Sequence, residues 1–316
     1  MSGSFPLLII TGPTGTGKSR LAMHLAQRWN SEIISADSRQ IYRYMDIGTG
    51  KPTPEERALI PHHMIDIVEP DQFYSAGEYG KNARSIIDNL LKNKRLPILV
   101  GGTGLYIRAV IDGLAPSPPS DPDIKADLLE QIEKRGIRTL HNKLSKMDPK
   151  AAKRLHPNDR QRILRAMEVF LITGKRLSDF HRQTLNHPEY LTAFFFINRP
   201  RAILYKMINQ RVEDMFKQGL KKEVKGLIDK GYTLSHPGLQ SLGYGHIYEY
   251  IQKKITLQEA KNLMKRDTRR YAKRQITWYR REKRAVWLDM SDKGDILDLA
   301  PEIYSVLARV CPEIKP

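Results

Sequence analysis

The stretch Gly12-Pro13-Thr14-Gly15-Thr16-Gly17-Lys18-Ser19 fits the spacing G-x-x-x-x-G-K-[ST] and decides the fold. An apolar run, Phe5 to Ile10, precedes it, and a helix-forming run from Lys18 to about Trp29 follows. Glycines at this spacing let backbone N–H groups turn inward on phosphate oxygens, and the helix start behind them favours an anion. Lys18 adds a point charge, and the Ser19 hydroxyl can ligate Mg²⁺. Gly12, Pro13, Thr14, Gly15, Thr16, Gly17, Lys18 and Ser19 are therefore the candidate di- or triphosphate cradle, with Ser19 the candidate metal ligand. The competing reading is a glycine-rich strand–helix turn with no ligand.

Outward from the loop, strand-like and helical runs alternate. Glu32-Ile-Ile-Ser-Ala-Asp37 reads as a short strand ending in a carboxylate, His62 to Ile67 as a third strand, and Leu96 to Val100 as a buried one. Ser75-Ala-Gly-Glu78 has capping-box spacing for a helix to about Lys92. Such a pattern predicts a parallel sheet covered on both faces. The proline-rich run Ala115-Pro-Ser-Pro-Pro-Ser-Asp-Pro122 breaks it, and residues 123 to about 186 read as wholly helical. A strand returns at Leu191 to Ile197, followed by long helices, a short strand at Ala285 to Met290 and a last helix near 295–310. The predicted fold class is α/β, a P-loop NTPase-like parallel-sheet core flanked by helices and interrupted by an all-helical insertion domain. The expected divisions are 1–117 for the first part of the core, 118–188 for the insertion and 189–316 for the core's completion with basic C-terminal helices.

Composition narrows the function. The chain has 316 residues and a formal net charge of +18, from 53 Lys+Arg against 35 Asp+Glu. At 40% hydrophobic it can bury a core, which excludes a disordered or fibrous chain. Its one cysteine, Cys311, excludes a disulfide framework and a Cys-rich zinc site and reads as a structural thiol. His62-His63 is too isolated for a metal site. No apolar run reaches the roughly 18 residues that span a bilayer, and the first residues lack a signal-peptide pattern, so the expectation is a soluble cytoplasmic protein. Residues 261–284 hold eleven Lys/Arg against Asp267 and Glu282, half of the net charge. Capping-box spacing at Thr256-Leu-Gln-Glu259 starts this helix, and Tyr271, Trp278 and Tyr279 interleave it. It reads either as a solvated helix with aromatic anchors or as a surface for a phosphate backbone, with Arg269, Arg270, Lys273 and Arg274 as contacts.

An ordinary nucleotide hydrolase of this class holds Mg²⁺ with an Asp closing a later strand. Here Leu96 to Val100 runs into Gly101-Gly-Thr103-Gly-Leu-Tyr106 with no carboxylate. Asp37 is the carboxylate placed at a core strand's end near the loop. Strand C-termini gather at one crevice, so Asp37 and Thr103 are expected beside Lys18.

These motifs resemble, in order, those of the bacterial tRNA dimethylallyltransferases: the phosphate loop, Ala36-Asp-Ser-Arg-Gln40 with Tyr42, Gly48-Thr-Gly-Lys-Pro52, and Gly101 to Tyr106. Asn158-Asp-Arg-Gln-Arg-Ile-Leu-Arg-Ala-Met-Glu-Val169 and Arg269-Arg-Tyr-Ala-Lys-Arg-Gln-Ile-Thr-Trp-Tyr279 continue the likeness to about residue 280. Two departures stand out. Gly243-Tyr-Gly-His246 replaces a frequent Gly-Tyr-Lys-Glu pattern, and the C-terminal zinc finger of eukaryotic relatives is absent. The resemblance implies transfer of a dimethylallyl group from dimethylallyl diphosphate to N6 of the adenosine just 3′ of the tRNA anticodon, with Mg²⁺. The cradle would then hold the donor's diphosphate rather than ATP.

In that reading Asp37 accepts a hydrogen bond and then a proton from the amine, Thr103 positions it, and Arg211 is a second cation on the leaving group. Asp37, Ser38, Arg39, Gln40 and Thr103 face the RNA near the pocket. Gln161, Arg162, Ile163, Leu164 and Arg165 contact it from the insertion, which is expected to clamp the anticodon stem-loop. The partners expected are tRNA and dimethylallyl diphosphate, with no membrane, and a monomeric chain. The alternative is a P-loop kinase acting on a small metabolite with Asp37 as base. A third reading is an RNA-binding nucleotide switch. Both leave part of the chain idle.

Overall fold

The computed structural model describes residues 5–115, 118–180 and 190–313. By internal contact the chain divides into a unit of residues 1–111 with 189–316 and a second unit of residues 112–188.

The first unit is built on six parallel strands: β1 (Leu7–Thr11), β2 (Ile33–Ser35), β3 (His62–His63), β4 (Ile98–Gly101), β5 (Thr192–Asn198) and β6 (Val286–Asp289), in the order β3-β2-β4-β1-β5-β6. Residues alternate between faces along a strand, so Leu7 and Ile9 join one apolar cluster and Leu8 and Ile10 the other. α1 (Lys18–Arg28), α2 (Pro54–Leu59), α3 (Ala76–Lys92) and α4 (Gly104–Ile111) complete the part before the second unit. Capping boxes start α2 at Thr53 and α3 at Ser75. Leu21 and Leu25 of α1 bury on the Leu8 side, and Tyr79, Ala83 and Ile87 of α3 bury on the Leu7 side.

Two expected strands are shorter than their apolar runs suggest. β2 stops at Ser35, and Asp37 lies in the turn beyond it. β3 ends at His63 because Met64 (φ 62°) and Asp66 (φ 55°) adopt left-handed backbone, which no strand continues through. α2 is not among the expected helices. Its capping box lies against Gly48-Thr-Gly-Lys-Pro52, whose glycines and proline obscure the helical run.

The second unit is helical: α5 (Pro122–Arg135), α6 (Ile137–Met147), α7 (Pro149–Arg154), α8 (Arg160–Thr173) and α9 (Leu177–Phe180). Asp121 and Asp148 cap the Pro-led starts of α5 and α7. The unit closes its own core around Leu128, Leu140, Leu144, Ile163 and Met167. It begins at Asp112, directly after α4, rather than at 118. The helical region expected to reach about 186 lies, from 181 on, outside the described residues.

The chain then returns through β5 to α10 (Arg201–Gln218), α11 (Leu220–Asp229), α12 (Tyr244–Ile251) and α13 (Leu257–Tyr279), and through β6 and a short 3₁₀ turn to α14 (Ala300–Val310). Thr256 caps α13 with Glu259 as expected. α14 buries Ile303 and Leu307 against the α1 side of the sheet, where Cys311 is also buried. The whole is the α/β fold of P-loop proteins, and no described helix is long and apolar enough to cross a membrane.

Candidate functional site

The phosphate loop leaves the C-terminal end of β1, between β4 and β5. Gly17 heads α1 with φ 93°, a left-handed turn that a side chain would strain. Lys18 Nζ reaches back over the loop to the Pro13 carbonyl (2.8 Å), and the Thr16 hydroxyl donates to the same oxygen (2.9 Å). Burial, then the like charge of Arg211, pulls Lys18 down to about 7, with Asp37 opposing.

Arg211 comes from α10 and reaches the same place. A Cβ on Gly50, itself at φ 62°, would collide with its guanidinium, so glycine there leaves the arginine room. Burial lowers the Arg211 pKa and the Asp37 carboxylate resists this. Lys18, Arg211 and Asp37 thus form one electrostatic group. Asp37 Oδ1 accepts from Arg39 N–H (2.8 Å), which fixes the carboxylate in its turn.

Thr103 follows β4, next to β2 in the sheet. Its N–H donates to Ala36 O (3.1 Å) and its hydroxyl oxygen accepts from Ser38 N–H (3.0 Å), stitching the two loops together. Burial, then Asp37, pushes the hydroxyl of Tyr271 on α13 up to about 12, with Thr103 opposing.

Other expected contacts are engaged within the fold. Both ends of the Gln40 amide are used: Oε1 accepts from Ser35 (2.8 Å) and Nε2 donates to Gly50 O (3.0 Å), so Gln40 braces the Gly50 loop that Arg211 approaches. Arg39 donates to Pro237 O (3.1 Å). In the second unit Gln161 and Arg162 are exposed on α8, whereas Ile163 and Leu164 are buried in the helical core and their side chains face inward. Arg165 pairs with Glu168 (2.7 Å) and donates to Pro118 O, and Glu168 also accepts from Asp121 N–H (2.9 Å). Arg165 therefore anchors the proline-rich lead-in to α8.

The basic helix sorts similarly. Lys261 and Lys265 both bind Glu213, at 2.7 and 2.5 Å, and hold it down to about 2. Arg266 and Arg270 share Asp267, which also meets His246 at 3.3 Å, so the departure at His246 joins α12 to α13. Arg269 donates to Asn209 (2.6 Å) over the Tyr205 ring. Arg270, Lys273 and Arg274 point outward.

Sequence reasoning passes over two residues that order this site. Glu223 of α11 accepts from the N–H groups of Asp46, Ile47 and Gly48 and from the Tyr244 hydroxyl (2.6 Å), holding the Gly48 loop that carries Gly50. Gln275 of α13 bonds the phosphate loop at Thr14 and the β4 loop at Gly102. Gln275 lies within the Arg269–Tyr279 motif, but its role, like that of Glu223, is not legible there, because each acts over a long separation in sequence.

Among the described residues no group of three or more His, Cys, Asp or Glu could hold a metal. The candidate donor from the phosphate loop, Ser19, is exposed at the start of α1. That suits Mg²⁺, which is commonly held by one or two protein oxygens, substrate phosphates and water.

An IPP transferase profile matches residues 40–282, and an isopentenyl transferase profile matches residues 6–62. The chain belongs to the IPP transferase family. A tRNA dimethylallyltransferase of Syntrophobacter fumaroxidans is 46% identical over 91% of this chain and 84% of its own length. Among solved structures, the tRNA isopentenylpyrophosphate transferase of Bacillus halodurans superposes with a TM-score of 0.72 at 39% identity, covering 98% of this chain and 97% of that one. A eukaryotic dimethylallyltransferase acting on tRNA superposes with a TM-score of 0.80 at 27% identity, covering 97% and 80%. The likeness to these relatives therefore spans both units, from before the phosphate loop to the basic helix.

Proposed function

We propose that this protein transfers a dimethylallyl group from dimethylallyl diphosphate to N6 of the adenosine 3′-adjacent to the anticodon in tRNA, releasing pyrophosphate. The observation that carries the reading is the meeting of Asp37 with Lys18 and Arg211 beside Thr103: one carboxylate for a nucleophile and two cations for a leaving group.

The adenine amine is a weak nucleophile because its lone pair is delocalised into the ring. Asp37 accepts a hydrogen bond from it and takes the proton as the N–C bond forms. The C–O bond to the diphosphate breaks in the same step, and its electron pair leaves with pyrophosphate. Lys18, Arg211 and the loop N–H groups stabilise that growing charge. Mg²⁺ held by Ser19 and the diphosphate would neutralise part of it. Thr103, fixed by Ser38, orients the amine.

The base must leave the anticodon stack to reach this pocket, which requires contacts that hold the loop open. Ser38, Arg39, Arg270, Lys273, Arg274, Gln161 and Arg162 supply polar or charged groups for the RNA. Gln40, Ile163, Leu164 and Arg165 act by bracing them. The relatives named for tRNA support this reading, and nothing among them supports a small-metabolite kinase.

Incubation with labelled dimethylallyl diphosphate and unmodified tRNA tests it. Label in the RNA with release of pyrophosphate is expected. ATP turnover with no label in RNA would replace this reading by the kinase.

A further inference from the structure

We propose that Gln275 is a positioning residue for the donor, clamping the phosphate loop to the loop after β4 so that the diphosphate cradle and Thr103 keep a fixed spacing. The proposal rests on the transferase reading. Gln275 is only 6% exposed on α13. Its Oε1 accepts from the Thr14 N–H (3.0 Å), inside the cradle, and its Nε2 donates to Gly102 O (3.1 Å), directly before Thr103. One side chain therefore joins three segments that meet only in the folded state.

The chemistry demands an amide. One end must accept and the other donate, and a buried group left unpaired at either end would be destabilising. A carboxylate would face the Gly102 carbonyl with a second acceptor, and a thioether would satisfy neither partner. Gly102 reflects the same contact, because a Cβ there would collide with Gln275 Nε2. Any side chain at 102 therefore displaces the clamp. Lys18 and Thr103 keep their own bonds in that event but lose their common frame with Ser19, and small misplacements of reacting groups weaken catalysis strongly.

Gln275→Met, Gly102→Ala and the double variant test this. Pyrophosphate binding is measured by calorimetry, alongside donor KM and kcat at saturating tRNA, tRNA Kd and Tm. Gln275→Met is expected to weaken pyrophosphate binding and raise donor KM about tenfold, with tRNA Kd within about twofold. Gly102→Ala should reproduce this, and the double variant should be no worse than the weaker-binding single, because both remove the same clamp. Gln275→Glu, which keeps the size and the acceptor, gives the same comparison if the Met variant does not fold. Unchanged pyrophosphate affinity, multiplying single effects, or tRNA affinity and Tm falling in step with pyrophosphate affinity would overturn the proposal. A wild-type protein that binds pyrophosphate but transfers no label would instead sink the transferase reading, while the clamp is still judged on pyrophosphate alone.

Discussion

Lys18 carries the sharpest consequence of the site's geometry. Lowered to about 7 by burial and by Arg211, it is charged below that pH and neutral above it. Donor capture by the free enzyme should therefore weaken as pH rises through about 7. Its folded value lies below the ordinary 10.5, so the fold disfavours the charged form, and this group's contribution to stability rises with pH between the two values. Arg211→Met removes the like charge, so the alkaline limb of donor kcat/KM should move to higher pH while donor KM rises; a limb that stays in place would uncouple the two cations. Asp37→Ala tests the other half of the chemistry. As the proton acceptor, Asp37 should contribute about 10²- to 10⁴-fold to kcat and little to tRNA affinity. Equal losses in both would make it a binding residue. The loop, Asp37 and Thr103 are readable residue by residue because strand ends and glycine spacing mark them. Arg211 comes from the family resemblance, and its contact with Gly50 exists only where α10 meets that loop.

At the scale of the element, α13 divides its charge in two. Lys273 and Arg274 are exposed, and replacing both with Gln should reduce the salt slope of tRNA binding by about one for each phosphate no longer neutralised. Lys261 and Lys265 face Glu213 instead. Their replacement should leave that slope unchanged and cost about 0–1 kcal/mol of stability, since the pairs are partly open to water. Glu213, held near 2 by their hydrogen bonds, contributes stability present above the usual 4.5 and lost as pH falls towards 2. The double variant should lose that acid limb in thermal unfolding measured against pH. The run of basic residues is plain in the chain, but its division is not. Helical spacing tells which residues share a face, whereas only the approach of α10 decides which face meets Glu213 and Asn209. For the same reason the bonds that Gln40 and Arg165 make within the fold cannot be read from their local sequence, because Gly50 and Pro118 lie on other segments.

For the molecule as a whole, two separate cores support two separable effects. Ile163 is fully buried in the helical unit, so Ile163→Ala should destabilise that unit by about 2–4 kcal/mol through the cavity it opens. Chemical denaturation measures the loss. tRNA affinity should fall with it while pyrophosphate affinity holds, and a parallel loss of pyrophosphate binding would show that the cradle depends on the helical unit. Local pattern alone determined much of this protein: strands announced by continuous apolar runs, helices announced by capping boxes at Ser75 and Thr256, a cradle announced by glycine spacing, and a proline-rich break before the insertion. These are short-range preferences, set by sterics and hydrogen bonds within a few residues. The tertiary structure decided where β3 stops, which cations remain for a polyanion, and that Glu223 and Gln275 hold the site's loops. The last of these depends on partners far along the chain, 173 and 261 residues away where Gln275 meets Gly102 and Thr14. Nothing in a local stretch of chain encodes such a distance, because it is the packing of α13 over the sheet that brings the three segments together.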